Sequence, residues 1–162
     1  MLSDIIIHLY IDKVIAMIYY INVFNIQNIV YCINEEGIMK PLLLERLDIL
    51  HSAKLIDEEV IAFCNKVVNY FFEQSSEWPQ ENMEIFITHL AMAASRSKKG
   101  EVENSVDAAI IASLKQESVY DEAKGILDSI LRLTMIEFPK PEIDLLLIHI
   151  CNMCKIKKGE FK

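Results

Sequence analysis

Only 4 glycines and 4 prolines punctuate this chain of 162 residues. Three of the prolines, Pro79, Pro139 and Pro141, stand between stretches in which apolar residues return every three or four positions. A sheet with many turns needs Gly, Pro and Asn at close intervals. A chain this poor in breakers, and rich in Ile, Leu, Ala, Lys and Glu, is therefore expected to fold from long helices. Its 52% hydrophobic and 25% charged residues are enough for a packed core and exclude a disordered polymer.

From Met39 onward the pattern predicts five or six amphipathic helices. Residues 41–52 form a short first one. Asp57 is placed to cap the second, with Glu58 and Glu59 complementing the dipole of its first turn. Val60, Ile61, Cys64, Val67, Val68 and Phe71 then step at helical spacing. After the turn at Trp78 and Pro79, a helix over residues 80–95 carries Ile85, Phe86, His89, Leu90, Met92 and Ala93, and Gly100 suits a left-handed exit behind it. Val102, Val106, Ala109, Ile110 and Leu114 predict a further long helix. Tyr120, Ala123, Ile126, Leu127, Ile130 and Leu131 predict the next. The last begins near Glu142 and buries Ile143, Leu146, Leu147, Ile150 and Cys151. No segment reads as a strand. Short connections favour antiparallel neighbours, so the expected fold is all-α, a compact antiparallel bundle of about five helices within residues 39–162.

Residues 1–38 have a different character. Half of them are Ile, Asn or Tyr, and they show no regular amphipathic period. Glu35-Glu36-Gly37 can be encoded by a purine run resembling a ribosome-binding sequence, just ahead of Met39. The expectation is that translation starts naturally at Met39 and that residues 1–38 are a non-native upstream extension. The rival reading is an apolar leader or membrane anchor, because residues 14–34 carry no charge. Asn22, Asn25, Gln27 and Asn28 weigh against it, since polar amides are costly in hydrocarbon. No basic n-region or small-residue cleavage site marks a signal peptide.

The formal net charge of -8 repels a phosphate backbone, so direct nucleic-acid binding is not expected. Lys155, Lys157 and Lys158 read as a solvated helix end beside the negative end of the dipole. The cysteines, 4 in all, show no extracellular disulfide framework and point to a reducing cytoplasm. Cys151 and Cys154 form a C-x-x-C, but a structural zinc site needs two such elements, and Cys151 already fits the apolar stripe. No phosphate-binding loop, zinc-protease helix or nucleophile elbow is present. No cofactor or metal is expected, and no independent enzyme activity.

Among the histidines, His89 and His149 sit inside long helices, each with an ionic companion seven residues away. Arg96 follows His89, and Glu142 precedes His149. Seven residues are two helical turns, so each pair shares a face but is offset by roughly 10 Å along the axis. Contact would require a neighbouring helix or a dimer partner. Satisfied core histidines with ordinary helix-end charges would give the same spacing.

Two segments carry a resemblance. Residues 85–100 place His89 on a helix, Arg96 seven positions on, and then Lys99-Gly100. Residues 138–150 run Pro139, Pro141, Glu142 and then His149. In this order and at this separation they resemble the two histidine motifs of the PTS regulation domain, a bacterial regulatory module, over about residues 44–155. That resemblance implies a compact helical bundle, often dimeric. It implies that His89 and His149 accept phosphoryl groups from phosphocarrier proteins of the sugar phosphotransferase system. Arg96 would balance the phosphate or hold the unmodified interface, and Glu142 would orient a histidine or pair with Arg96. Thr88 departs from the pattern, since family members often carry an acid just before the first histidine. Regulators of this family usually carry two such domains joined to a nucleic-acid-binding head, and the one copy here departs from that. The expectation is a stand-alone domain that reports carbohydrate supply to transcription, acting as a homodimer or on a regulator in trans. A phosphorylation-independent interaction module, or a small phosphoryl carrier, is the alternative.

Overall fold

The structure is a computed structural model that describes residues 35–75 and 77–160, with side chains from Met39 onward. The expectations for residues 1–34, including the apolar stretch, lie outside the described residues. Six helices follow one another: α1 (Glu35–Ser52), α2 (Glu58–Gln74), α3 (Gln80–Lys99), α4 (Ala108–Leu114), α5 (Tyr120–Leu131) and α6 (Lys140–Lys157). Among the described residues there is no strand and there are six helices, so the all-α reading holds, within the five or six helices expected. No helix among them is long and apolar enough to cross a membrane.

Local chemistry sets most of the boundaries. Asp57 accepts from the Val60 N–H at 3.0 Å and starts α2 as its cap. Gly100, at φ 71, ends α3 in the left-handed region and donates its N–H to the carbonyls of Arg96 and Ser97. The α3 helix therefore continues past residue 95 to Lys99. α1 begins at Glu35, earlier than expected, and takes Pro41 into its interior. Pro141, expected in the breaker before the last helix, lies within the first turn of α6. Its missing N–H is no loss there, because the first four amides of a helix have no carbonyl partner.

The long helix expected over Val102 to Leu114 does not form. Only Ala108–Leu114 is helical, and Val102 and Ile110 are exposed. Asp107 accepts from the Ala109 N–H at 2.8 Å and begins the helix at that point. Upstream, Asn104 and Ser105 are short polar residues that compete with helical backbone bonding. The apolar spacing there had no core face to bury.

The core lies where α2, α3 and α6 meet, and α3 packs against both α2 and α6. Phe71 on α2 meets Phe86 on α3 edge-on at 5.5 Å, and Trp78 at 5.0 Å. The Trp78 indole N–H donates to the Phe71 carbonyl at 3.1 Å, which satisfies its one polar atom inside the core. At the other end of these two helices Lys98 pairs with Asp57 at 2.6 Å. The two contacts fix α2 and α3 as antiparallel. Met39, Leu43 and Leu47 bury one face of α1, and Arg46 joins it to α3 through Glu84 at 2.6 Å.

Cys64, Cys151 and Cys154 are buried free thiols, in keeping with the core reading of the C-x-x-C. The basic cluster at the end of α6 is not simply solvated. Lys155 reaches Glu117 at 2.6 Å, Lys158 reaches Glu122 at 2.7 Å, and the Lys157 ammonium sits 4.1 Å from the centroid of the Trp78 ring.

Candidate functional site

The α3 and α6 helices carry the four residues singled out by spacing. Both helices are amphipathic and lie side by side in the core, with Leu90 and Ala94 of α3 and Leu146 and Ile150 of α6 fully or almost fully buried. The His89 and His149 rings stack with centroids 4.6 Å apart and planes 27° from parallel. Two turns away, Arg96 grips Glu142 with both arms of its fork: Nε donates to Oε1 at 2.8 Å and Nη2 to Oε2 at 2.9 Å. His89 precedes Arg96 on α3 and Glu142 precedes His149 on α6, so the helices run antiparallel. The neighbouring helix of the same chain supplies both contacts. A dimer partner is not needed for either.

The two pairs frame a cleft of roughly 360 Å³. Ala93 sits midway between His89 and Arg96 on α3, and its small side chain leaves the opening that a larger residue would fill. Leu146 lines the cleft from α6, and the rim is made by Glu103, Asn104 and Ser105. Spacing gave no sign of these rim residues, because they follow the end of α3 in irregular chain. Glu103 reaches Arg96 at 3.7 Å, an outer partner for the same guanidinium.

The electrostatics follow from burial. Glu142 is 1% exposed, so its charge depends on the bidentate guanidinium. The hydrogen bond to Glu142 raises the Arg96 pKa above its ordinary value, holding it as a cation. Burial, and then the neighbouring His89 ring, pushes His149 below the usual histidine value of 6.5. A neutral imidazole keeps a ring nitrogen lone pair available at neutral pH. Thr88 returns its hydroxyl to the Glu84 carbonyl at 2.8 Å and supplies no charge to His89. One turn earlier, the Glu84 carboxylate is held by Arg46 and Gln80.

Two imidazoles, a cation and a buried acid thus share one cleft of a helical bundle. Residues 58–152, more than half of the chain, match the family model of the PRD domain, and the chain belongs to the PRD domain family. Domains of this family are regulatory components of phosphotransferase-system control rather than catalysts. No curated protein and no solved structure matches the chain.

Proposed function

We propose that this PRD domain senses the state of the sugar phosphotransferase system by accepting phosphoryl groups on His89 and His149. The observation that carries the reading is the antiparallel register of α3 and α6. It gathers both histidines, Arg96 and Glu142 into one open cleft. In the acceptor step, an unprotonated nitrogen of the imidazole attacks the phosphorus of a phosphohistidine on the donor. A new N–P bond forms, the donor's N–P bond breaks, and the donor imidazole leaves with the electron pair. Because the acceptor rings are stacked, their in-plane lone pairs do not point into each other.

The product carries about -1.5 to -2 of new charge and three acceptor oxygens. It arrives in a cleft where one guanidinium already serves Glu142 and Glu103. Rearrangement of the contacts around Arg96 is the consequence, and a subunit or partner contact is the element it biases. The readout is control of transcription or of a partner protein in the cytoplasm, through a homodimer or a regulator in trans. The donor is a phosphocarrier protein of the phosphotransferase system.

One observation favours a second reading. The Arg96–Glu142 pair is complete without a phosphate, as it would be in a phosphorylation-independent interaction module. The full chain, incubated with phosphoenolpyruvate, enzyme I and the general phosphocarrier, separates the two. Intact mass at alkaline pH should show acid-labile phosphoryl groups that map to His89 or His149. An unchanged mass with active donor would sink the phosphoacceptor reading in favour of the second.

A further inference from the structure

Between α3 and α4 the chain runs without helix from Glu101 to Asp107, and residues 101–105 are all exposed. Ser105 and Val106 line two clefts at once. One is the histidine cleft; the other, of roughly 630 Å³, is bounded by α4 and by Lys140 and Asp144 at the start of α6. The segment is thus the wall between them. Among the described residues, the ion pair from Glu103 to Arg96 is the one side-chain polar contact by which residues 101–106 reach the helices. The other polar contact of the Glu103 carboxylate is local, to the N–H of Asn104 at 3.3 Å.

Arg96 therefore serves two carboxylates on unequal terms. Glu142 holds it through two short bonds from a buried position, and swinging away would strand an uncompensated charge in the core. Glu103 stands outside, beyond hydrogen-bond distance at 3.7 Å, and can move into water at little cost. When a third anion competes for the guanidinium, Glu103 is the one that yields. A phosphoryl group outcompetes a single carboxylate because it brings more charge and three acceptor oxygens, and it also repels Glu103 across the same cleft.

We propose that Glu103 is the latch of the histidine cleft: it ties segment 101–107 to Arg96 in the unmodified chain, and an anion on His89 or His149 displaces it and frees the segment. The second half of this inference rests on the phosphoacceptor reading above. Release of the segment removes the wall and joins the two clefts along α6. The signal thus leaves the site as a change in the order of a surface segment, without any need to unfold the buried Arg96–Glu142 pair.

The test uses the full chain and backbone ¹⁵N order parameters at residues 102–106. Rigid backbone gives about 0.85 and flexible backbone less than about 0.6. Wild type is expected in the rigid range. Glu103→Gln, which keeps the shape and removes the charge, should drop the segment into the flexible range while the helices stay rigid. Glu101→Gln, which removes a nearby charge that does not bond Arg96, should leave the segment rigid. His89→Glu places an anion in the cleft without any donor and should free the segment as Glu103→Gln does. A segment already flexible in wild type, one still rigid in Glu103→Gln or His89→Glu, or an equal effect from Glu101→Gln would each overturn the latch. If both freeing variants behave as expected but the wild-type mass never rises with donor, the phosphoacceptor reading fails, and the tie of Glu103 to Arg96 and its release by an anion in the cleft stand without it. A chain that carries the phosphoryl group yet keeps the segment rigid overturns the latch alone.

Discussion

The imidazoles of His89 and His149 stack at 4.6 Å although they lie far apart in the sequence. The stack is one end of a register shared by two antiparallel helices. Seven residues onward from His89 on α3 comes Arg96, and seven residues back from His149 on α6 comes Glu142. Equal steps in opposite directions bring the second pair into contact whenever the first is in contact. The bidentate bond of Arg96 to Glu142 and the stack of the two rings thereby belong to one register.

Removing one partner of the buried ion pair should cost more than removing both. Glu142→Gln leaves the guanidinium without its carboxylate and is expected to lower stability by about 3 kcal/mol. Arg96→Met combined with Glu142→Leu leaves no uncompensated charge and should recover most of that loss. Urea unfolding of the single and double variants measures it. A double variant less stable than the single one would show that the pair contributes net stability of its own.

Stability should fall as the solution is acidified through the histidine range. The folded-state pKa of His149 is depressed, so below 6.5 the unfolded chain takes up a proton that the folded chain refuses. With more protons bound in the unfolded state, stability rises with pH across the window between the depressed value and 6.5, and is fully present above it. Thermal midpoints should therefore drop between pH 7 and pH 5.5, roughly the span over which histidine charges. His149→Gln should flatten this part of the profile; an unchanged slope in that variant would assign the dependence to other groups.

The three described cysteines should be inert in the native state. Burial pushes the thiols of Cys64 and Cys154 up to about 12 and that of Cys151 up to about 11. Only the thiolate reacts, and burial keeps its population very small near neutral pH. Iodoacetamide at pH 7.5 should modify Cys64, Cys151 and Cys154 only on addition of denaturant, as read by peptide mass. Rapid native labelling of Cys151 or Cys154 would show that the α6 end opens locally.

Gly100→Ala isolates backbone strain from crowding. An added Cβ meets nothing within 4 Å, but the residue sits at φ 71, where a side chain is disfavoured. The expected loss is about 1 to 2 kcal/mol, all of it conformational. Gly100→Asn should lose less, because Asn tolerates this region better. Equal losses in the two variants would point to a contact instead of strain.

Much of the fold was legible because the signals are local. A helix face repeats every three or four residues, so Val60 to Phe71 could be assigned to one buried stripe without knowing what covers it. The Asp57 cap and the Gly100 exit are likewise contained within a few residues of chain. The same reasoning failed over residues 101–107, where Val102 has helical spacing but is exposed, and Asp107 bonds the Ala109 N–H and starts the helix only there. Nothing local marked Glu103 either, since its partner is the side chain of Arg96 across the end of α3.

The sequence by itself determined the helix-forming stretches, their apolar faces, and the placing of His89 with Arg96 and of Glu142 with His149 on common faces. Only the tertiary structure decided that these two faces meet within one chain, antiparallel and in the one register that stacks the rings and closes the ion pair. The physical reason is range. Periodicity and caps arise from bonds between residues at most a turn apart, whereas the meeting of α3 and α6 depends on how the whole core packs around them.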